Sequence, residues 1–141
     1  RTRNMGQKIG IDTPVLIYLL EKNPQYVAAV RNLMRRVQSG EYSASFSSIG
    51  LIEILTGPKR QGRYDIAAKY RETIIHFPNF TIRGINENIV DCASDLRAKY
   101  GIATPDAIHI ATAIDFGAKK FITSDKGLRK VTEIIIEFLH V

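Results

Sequence analysis

Short apolar runs alternate along this chain with longer stretches in which apolar residues recur every three or four positions. Lys8 to Ile11 is the first such run and predicts a central parallel strand, which Asp12 closes. Thr13-Pro14, Asn23-Pro24 and Thr104-Pro105 each set a capping side chain ahead of a proline. Proline is tolerated at the first helical position because its missing N–H has no partner to lose. Helices are therefore expected over Val15 to Glu21 and, after Asn23-Pro24, through Val27, Val30, Leu33, Met34 and Val37, ending at Ser39-Gly40. Tyr42 to Phe46 predicts a second strand. Ser47 or Ser48 is expected to cap a helix over Ile49 to Thr56, with Gly57-Pro58 as its stop. Lys59 to Arg63 predicts a basic turn, Tyr64 to Phe77 a helix, Phe80 to Ile82 or Ile85 a third strand, and Asn86 to Tyr100 a helix closed by Gly101.

Thr104 to Asp125 is the most informative stretch. Thr104 is expected as N-cap and Asp106 falls in the first turn, where the helix dipole favours negative charge. Ala107, Ile108, Ile110, Ala111, Ala113 and Ile114 make the helix apolar nearly all round, which predicts close burial against a sheet. Gly117 ends it, Lys119 to Thr123 predicts a short buried strand, and Asp125 follows. Lys126 to Val131 should be a short helix and Glu133 to Phe138 the last strand. Strands alternating with helices predict a three-layer α/β/α fold around a central, mainly parallel sheet of about five strands. The chain has 141 residues and no interdomain linker or repeat, so 1–141 is expected to be a single domain. Residues 1–7 are expected to form a flexible N-terminal extension or a cloning remnant, with Met5 as native start.

Composition narrows the setting. No apolar run approaches a membrane span and no signal peptide precedes the first strand. The single cysteine, Cys92, excludes an internal disulfide and fits a reducing cytoplasm; it shares an expected helix with Ile89, Ala93 and Leu96. The net charge of +6 suits a polyanionic partner, although basic balance alone is weak evidence. Lys59, Arg60, Arg63 and Lys126 are the basic positions expected to track a phosphate backbone; each equally suits a solvated face.

The candidate chemistry is carboxylate chemistry. Asp12 and Asp125 end strands, where open α/β sheets bind ligands, and Asp106 opens the helix leading to the fourth strand. Each has an innocent explanation as a cap or first-turn acid. Glu53 interrupts Ile49, Leu51, Ile52, Ile54 and Leu55, so it is either the exposed face of that helix or an acid that must be paired. If the first and fourth strands are neighbours, all four acids approach one edge. Four carboxylates in one cleft cannot all ionise without a cation. Oxygen donors favour Mg²⁺, with Mn²⁺ plausible, and no Cys/His cluster suggests zinc. Such a cation activates water and neutralises phosphate charge, which is phosphodiester hydrolysis.

Four segments carry a resemblance. I-G-I-D-T-P-V-L-I-Y-L-L around Asp12, S-S-I-G-L-I-E-I-L around Glu53, T-P-D-A-I-H-I-A-T-A around Asp106 and F-I-T-S-D around Asp125 are similar to the four motifs of the PIN-domain nucleases. The small size resembles the VapC toxins of bacterial and archaeal toxin–antitoxin pairs. The resemblance implies an Mg²⁺-dependent endoribonuclease, often a homodimer, silenced by a VapB-type antitoxin. It implies Asp12, Glu53, Asp106 and Asp125 as catalytic metal ligands, with Thr13, Thr123 and Ser124 as supporting polar positions; Ser124 stands where the family often has Asn. Leu19, Leu20 and Val27 are candidates for a dimer or antitoxin surface. A PIN nuclease with no antitoxin and a non-catalytic PIN-like RNA-binding module remain as alternatives. A phospho-receiver domain lacks its acceptor Asp after the third strand, since Phe80-Thr81-Ile82-Arg83-Gly84 offers none. His109, one turn beyond Asp106, is expected to play a structural or supporting part rather than that of general base.

Overall fold

A computed structural model of the protein describes residues 6–140. The expected start at Met5 and the remnant Arg1 to Asn4 lie outside the described residues. Five strands, β1 (Gln7–Ile11), β2 (Tyr42–Ser47), β3 (Phe80–Arg83), β4 (Lys120–Thr123) and β5 (Ile135–Phe138), form one sheet in the order β3-β2-β1-β4-β5. Every pairing is parallel. Gln7, expected within the N-terminal extension, opens β1 opposite Tyr42. The remaining elements are α1 (Thr13–Leu20), α2 (Val27–Gln38), α3 (Ser48–Arg60), α4 (Tyr64–Ile75), α5 (Glu87–Tyr100), α6 (Thr104–Phe116) and a 3₁₀ helix, Lys126–Lys130.

The sheet separates two apolar cores. Ile9 and Ile11 of β1, Ala44 and Phe46 of β2 and Ile122 of β4 pack with Val15 and Leu16 of α1 and with Val30, Leu33, Met34 and Val37 of α2. That α2 quartet is the expected i, i+3, i+4 stripe, buried because one face of an amphipathic helix must leave water. On the other side Phe121 packs with Ile89, Ala93 and Leu96 of α5 and with Ala107, Ile110, Ala111 and Ala113 of α6. Adjacent residues Phe121 and Ile122 go to opposite cores, as the pleat requires. Cys92 packs at the margin of the second core. A Cβ on Gly10 would collide with Ala113, so the small residues of β1 and α6 let sheet and helix approach closely. Among the described residues no helix is long and apolar enough to cross a membrane.

Several element boundaries differ from the expected ones for local reasons. Asp12, not Thr13, caps α1 by accepting from the Thr13 amide. Ala103, not Thr104, occupies the cap position of α6, and no side chain caps that helix. Asn23 Oδ1 accepts from the amides of Gln25 and Tyr26, and α2 begins only at Val27. Ser47 is the cap of α3. That helix runs through Gly57-Pro58 to Arg60 instead of stopping. Proline costs a helix one hydrogen bond and clashes with the carbonyl four residues back as well as with the residue before it; Gly57 relieves only the Cβ part of that last clash. Lys59 and Arg60 sit in the last helical turn instead of in a loop.

Candidate active site

Of the helices that start along the carboxyl edge of the sheet, three carry or adjoin an acid at their first residues. Asp12 ends β1 and caps α1, Asp106 lies in the first turn of α6, and Asp125 follows β4 and caps the 3₁₀ helix by accepting from the Gly127 amide. Because β1 pairs with β4, Asp12 and Asp125 meet across adjacent strand ends. Asp12, Glu53, Asp106 and Asp125 line one cleft of about 190 Å³ together with Thr13, Pro14, Ile17 and His109. The free amides of the helix starts offset part of the negative charge gathered there.

Each acid is held differently. Asp12 is 3% exposed. Its Oδ1 accepts from the Thr13 amide at 2.9 Å and its Oδ2 accepts from the Thr123 hydroxyl at 2.7 Å. Burial pushes its carboxyl above the ordinary range although both hydrogen bonds pull the other way. Thr123 Oγ1 also accepts from the Asp125 amide at 3.0 Å, so one hydroxyl ties the two strand ends together. Asp106 is half-buried, and its carboxyl is raised by burial and then by the negative charges of Asp12 and Asp125. Glu53 reaches in from α3 with its side chain 41% exposed. Its Oε1 accepts from the Thr13 hydroxyl at 2.7 Å and from His109 Nε2 at 3.0 Å. The His109 bond is the main reason its carboxyl lies below the usual range. Thus Glu53 is both partly exposed and paired, where the sequence had set those readings as alternatives.

A glycine lets Glu53 arrive. A Cβ on Gly50 would run into the Phe46 ring and come within 2.8 Å of Thr13 Oγ1. Its absence allows the first turn of α3 to close on β2 and α1, which brings residue 53 within reach of Thr13.

The supporting positions divide. Thr13 and Thr123 contact the acids directly. Ser124 instead pairs with the Tyr18 hydroxyl at 3.0 Å, and Tyr18 stacks on Tyr26. No sequence pattern pointed to Tyr18. The contact between His109 and Glu53 was also missed; the signal available was the helical spacing that puts His109 one turn from Asp106. Of the basic positions, Lys59, Arg60, Arg63 and Lys126 do not line the cleft. Lys59 borders a separate hollow between α3 and α4. Arg63 pairs with Asp65 in solvent, and Lys126 lies over the Phe138 ring at 4.3 Å, next to Asp125 in the chain.

The donors suit a hard divalent cation. They are carboxylates, and like-charge repulsion already raises Asp106. Among the described residues, however, no three His, Cys, Asp or Glu side chains are gathered as a finished metal site. A cation here would be held in part through water, as small hard ions commonly are.

A PIN-domain family model matches residues 9–134. The chain belongs to the PIN-domain family. No curated protein matches the sequence at a significant level. Solved structures with the same fold include VapBC2 from Rickettsia felis bound to a fragment of its promoter, with a TM-score of 0.79 at 16% identity over 95% of this chain and 100% of that one. DNA-bound VapBC from Salmonella typhimurium gives 0.75 at 18% identity, covering 94% of this chain and 98% of that one. VapBC-1 from nontypeable Haemophilus influenzae gives 0.73 at 20% identity, covering 94% and 98%. The five-stranded parallel sheet of this PIN domain is thus the sheet of those structures.

Proposed function

We propose that this PIN domain is a metal-dependent endoribonuclease of the VapC type, the toxin of a toxin–antitoxin pair, using Mg²⁺ or Mn²⁺. The observation that carries the reading is the convergence of four acids from four separate segments on one cleft at the carboxyl edge of the sheet. Asp12, Asp106 and Asp125 would hold the cation, with Glu53 binding it directly or through water. When bound, the ion supplies a more acidic water and charge neutralisation at the scissile phosphate. The protein's own part is positional. Thr123 fixes Asp12 and the Asp125 backbone together, and Thr13 and His109 fix Glu53. Lys126 and Arg129, both over the Phe138 ring, put positive charge just beyond Asp125 where an RNA backbone would pass.

A VapB-type antitoxin is the proposed partner, supported by the VapBC complexes among the structural neighbours. An apolar hollow lined by Leu16, Leu19, Leu20, Met34, Ile74, Phe77 and Phe80 supplies a surface on which such a protein would rest. Val27 does not line it. A homodimer in the cytoplasm and a single domain over 1–141 complete the proposal.

The test is cleavage of a mixed RNA pool with Mg²⁺ or Mn²⁺, beside EDTA and Asp12→Asn controls. Metal-dependent cleavage that the variant loses is expected. Equal cleavage by Asp12→Asn overturns the site, and no cation binding by the folded wild type favours the non-catalytic reading.

A further inference from the structure

His109 is 3% exposed on a helix whose other buried residues are nearly all small or aliphatic. Its ring packs against Phe46 with centroids 5.9 Å apart. One nitrogen, Nδ1, is buried with no hydrogen-bond partner. The other, Nε2, is 3.0 Å from Glu53 Oε1 and 2.9 Å from Thr13 Oγ1. An aliphatic side chain would fill this space without leaving a polar atom unsatisfied, so packing alone does not account for an imidazole. Its use must lie at Nε2.

The hydrogen positions follow from counting. Thr13 has one hydroxyl proton, which it donates to Glu53 Oε1 at 2.7 Å. A second approach to that oxygen at 3.0 Å requires a donor, so Nε2 carries a proton, while Nδ1 has no acceptor within reach. A buried lone pair is a smaller defect than a buried N–H without an acceptor. Two donors thus fall on Oε1, and among the described residues no hydrogen bond falls on Oε2. A glutamate has three side-chain torsions, and one left 41% exposed on a helix surface would sample several rotamers without such contacts.

We infer that Thr13 and His109 are a positioning pair for Glu53, pinning one carboxylate oxygen so that the other is presented to a divalent cation in the cleft. The inference rests on the metal reading proposed above. Neither residue touches the cation; both act through Glu53, as partners of metal ligands commonly do.

The test uses the full chain and Mn²⁺ as probe. Calorimetry should show His109→Leu weakening Mn²⁺ binding by about 10–100-fold. His109→Gln, whose amide N–H reaches the same place, should keep most of the affinity. In a Glu53→Ala background the His109→Leu change should cost nothing further, because its effect runs through the missing carboxylate. Thermal melts accompany each variant, and Thr13→Val replaces His109→Leu if the latter does not fold. In the metal-free wild type, ¹⁵N NMR should find a proton on Nε2. Full affinity in His109→Leu, an affinity loss that persists without Glu53, or an unprotonated Nε2 each overturns the inference. Wild-type protein that binds no Mn²⁺ overturns the metal reading and this inference together, whereas normal wild-type binding with an unaffected His109→Leu removes the inference alone.

Discussion

Asp12 is held by the amide of the next residue and by a hydroxyl from the neighbouring strand β4, whereas Glu53 is held by side chains from two other helices. At Asp12 a backbone amide and the buried Thr123 hydroxyl fix both oxygens in the floor of the cleft. At Glu53 the scaffold ends at the α3 backbone, and a hydroxyl and an imidazole finish the work at one oxygen. The two acids respond oppositely, since burial raises Asp12 and donated hydrogen bonds lower Glu53. Asp12 is therefore rigid and reluctant to ionise. Glu53 gives up its proton more readily and depends on its neighbours for direction.

The comparison can be broken first by activity. Asp12→Asn should lower RNA cleavage on the order of 100-fold or more, because the cation that would stabilise the developing charge loses a ligand. Glu53→Gln keeps an acceptor for Thr13 and His109 and should cost less, read as kcat in the same assay; equal losses would erase the distinction. A second, smaller effect is thermal. Mn²⁺ at a hundredfold excess over its dissociation constant stabilises the native state by about 2.7 kcal/mol, so wild-type protein should melt higher with Mn²⁺ and Asp12→Asn should gain less.

Thr123→Val removes the hydroxyl that joins Asp12 to the Asp125 backbone and should destabilise the fold by about 1–3 kcal/mol in urea titration. A change within error would mean that the two strand ends are held together without it. The smallest effect is the pH dependence of the metal-free protein. A carboxyl raised on folding contributes stability below its unfolded value, and that contribution is lost as pH rises through the folded value. Asp12 starts from 3.8 and is raised, so Asp12→Asn should melt higher than wild type at neutral pH, with the gap closing toward acid. Glu53 starts from 4.5 and is lowered, so its contribution is present above that value and lost as pH falls through the folded one. Glu53→Gln should therefore flatten the acid side of the curve. Melting temperatures across pH separate the two signs.

The family and the architecture were legible because they rest on long, redundant patterns. The apolar stripe of α2, the isoleucine-rich runs and the alternation of strands with helices each repeat the same message, and the sheet and PIN family match bear it out. The shared edge was legible once β1 and β4 were taken as neighbours. Terminal residues were less so. Whether Asp12 or Thr13 caps α1 turns on one backbone torsion, and Gly57-Pro58, a stop by its residue types, lies within the last turns of α3. The His109–Glu53 contact joins residues 56 apart in the chain, and no local periodicity encodes such a meeting. The basic positions were the least legible, since charge shows how many cations there are and not which way their flexible stems point.

Gly50 has no ionisable group and borders the cleft only through an atom it does not have. Gly50→Ala would force the Phe46 ring or Thr13 aside, a strain of about 1–3 kcal/mol for an overfilled site. Any adjustment that lifts α3 carries Glu53 with it. Under the proposed function, a single methyl group here is expected to inactivate the protein with every acid intact and every charge unchanged. A search for disarmed natural variants that inspects only the four acids would count such a protein as active.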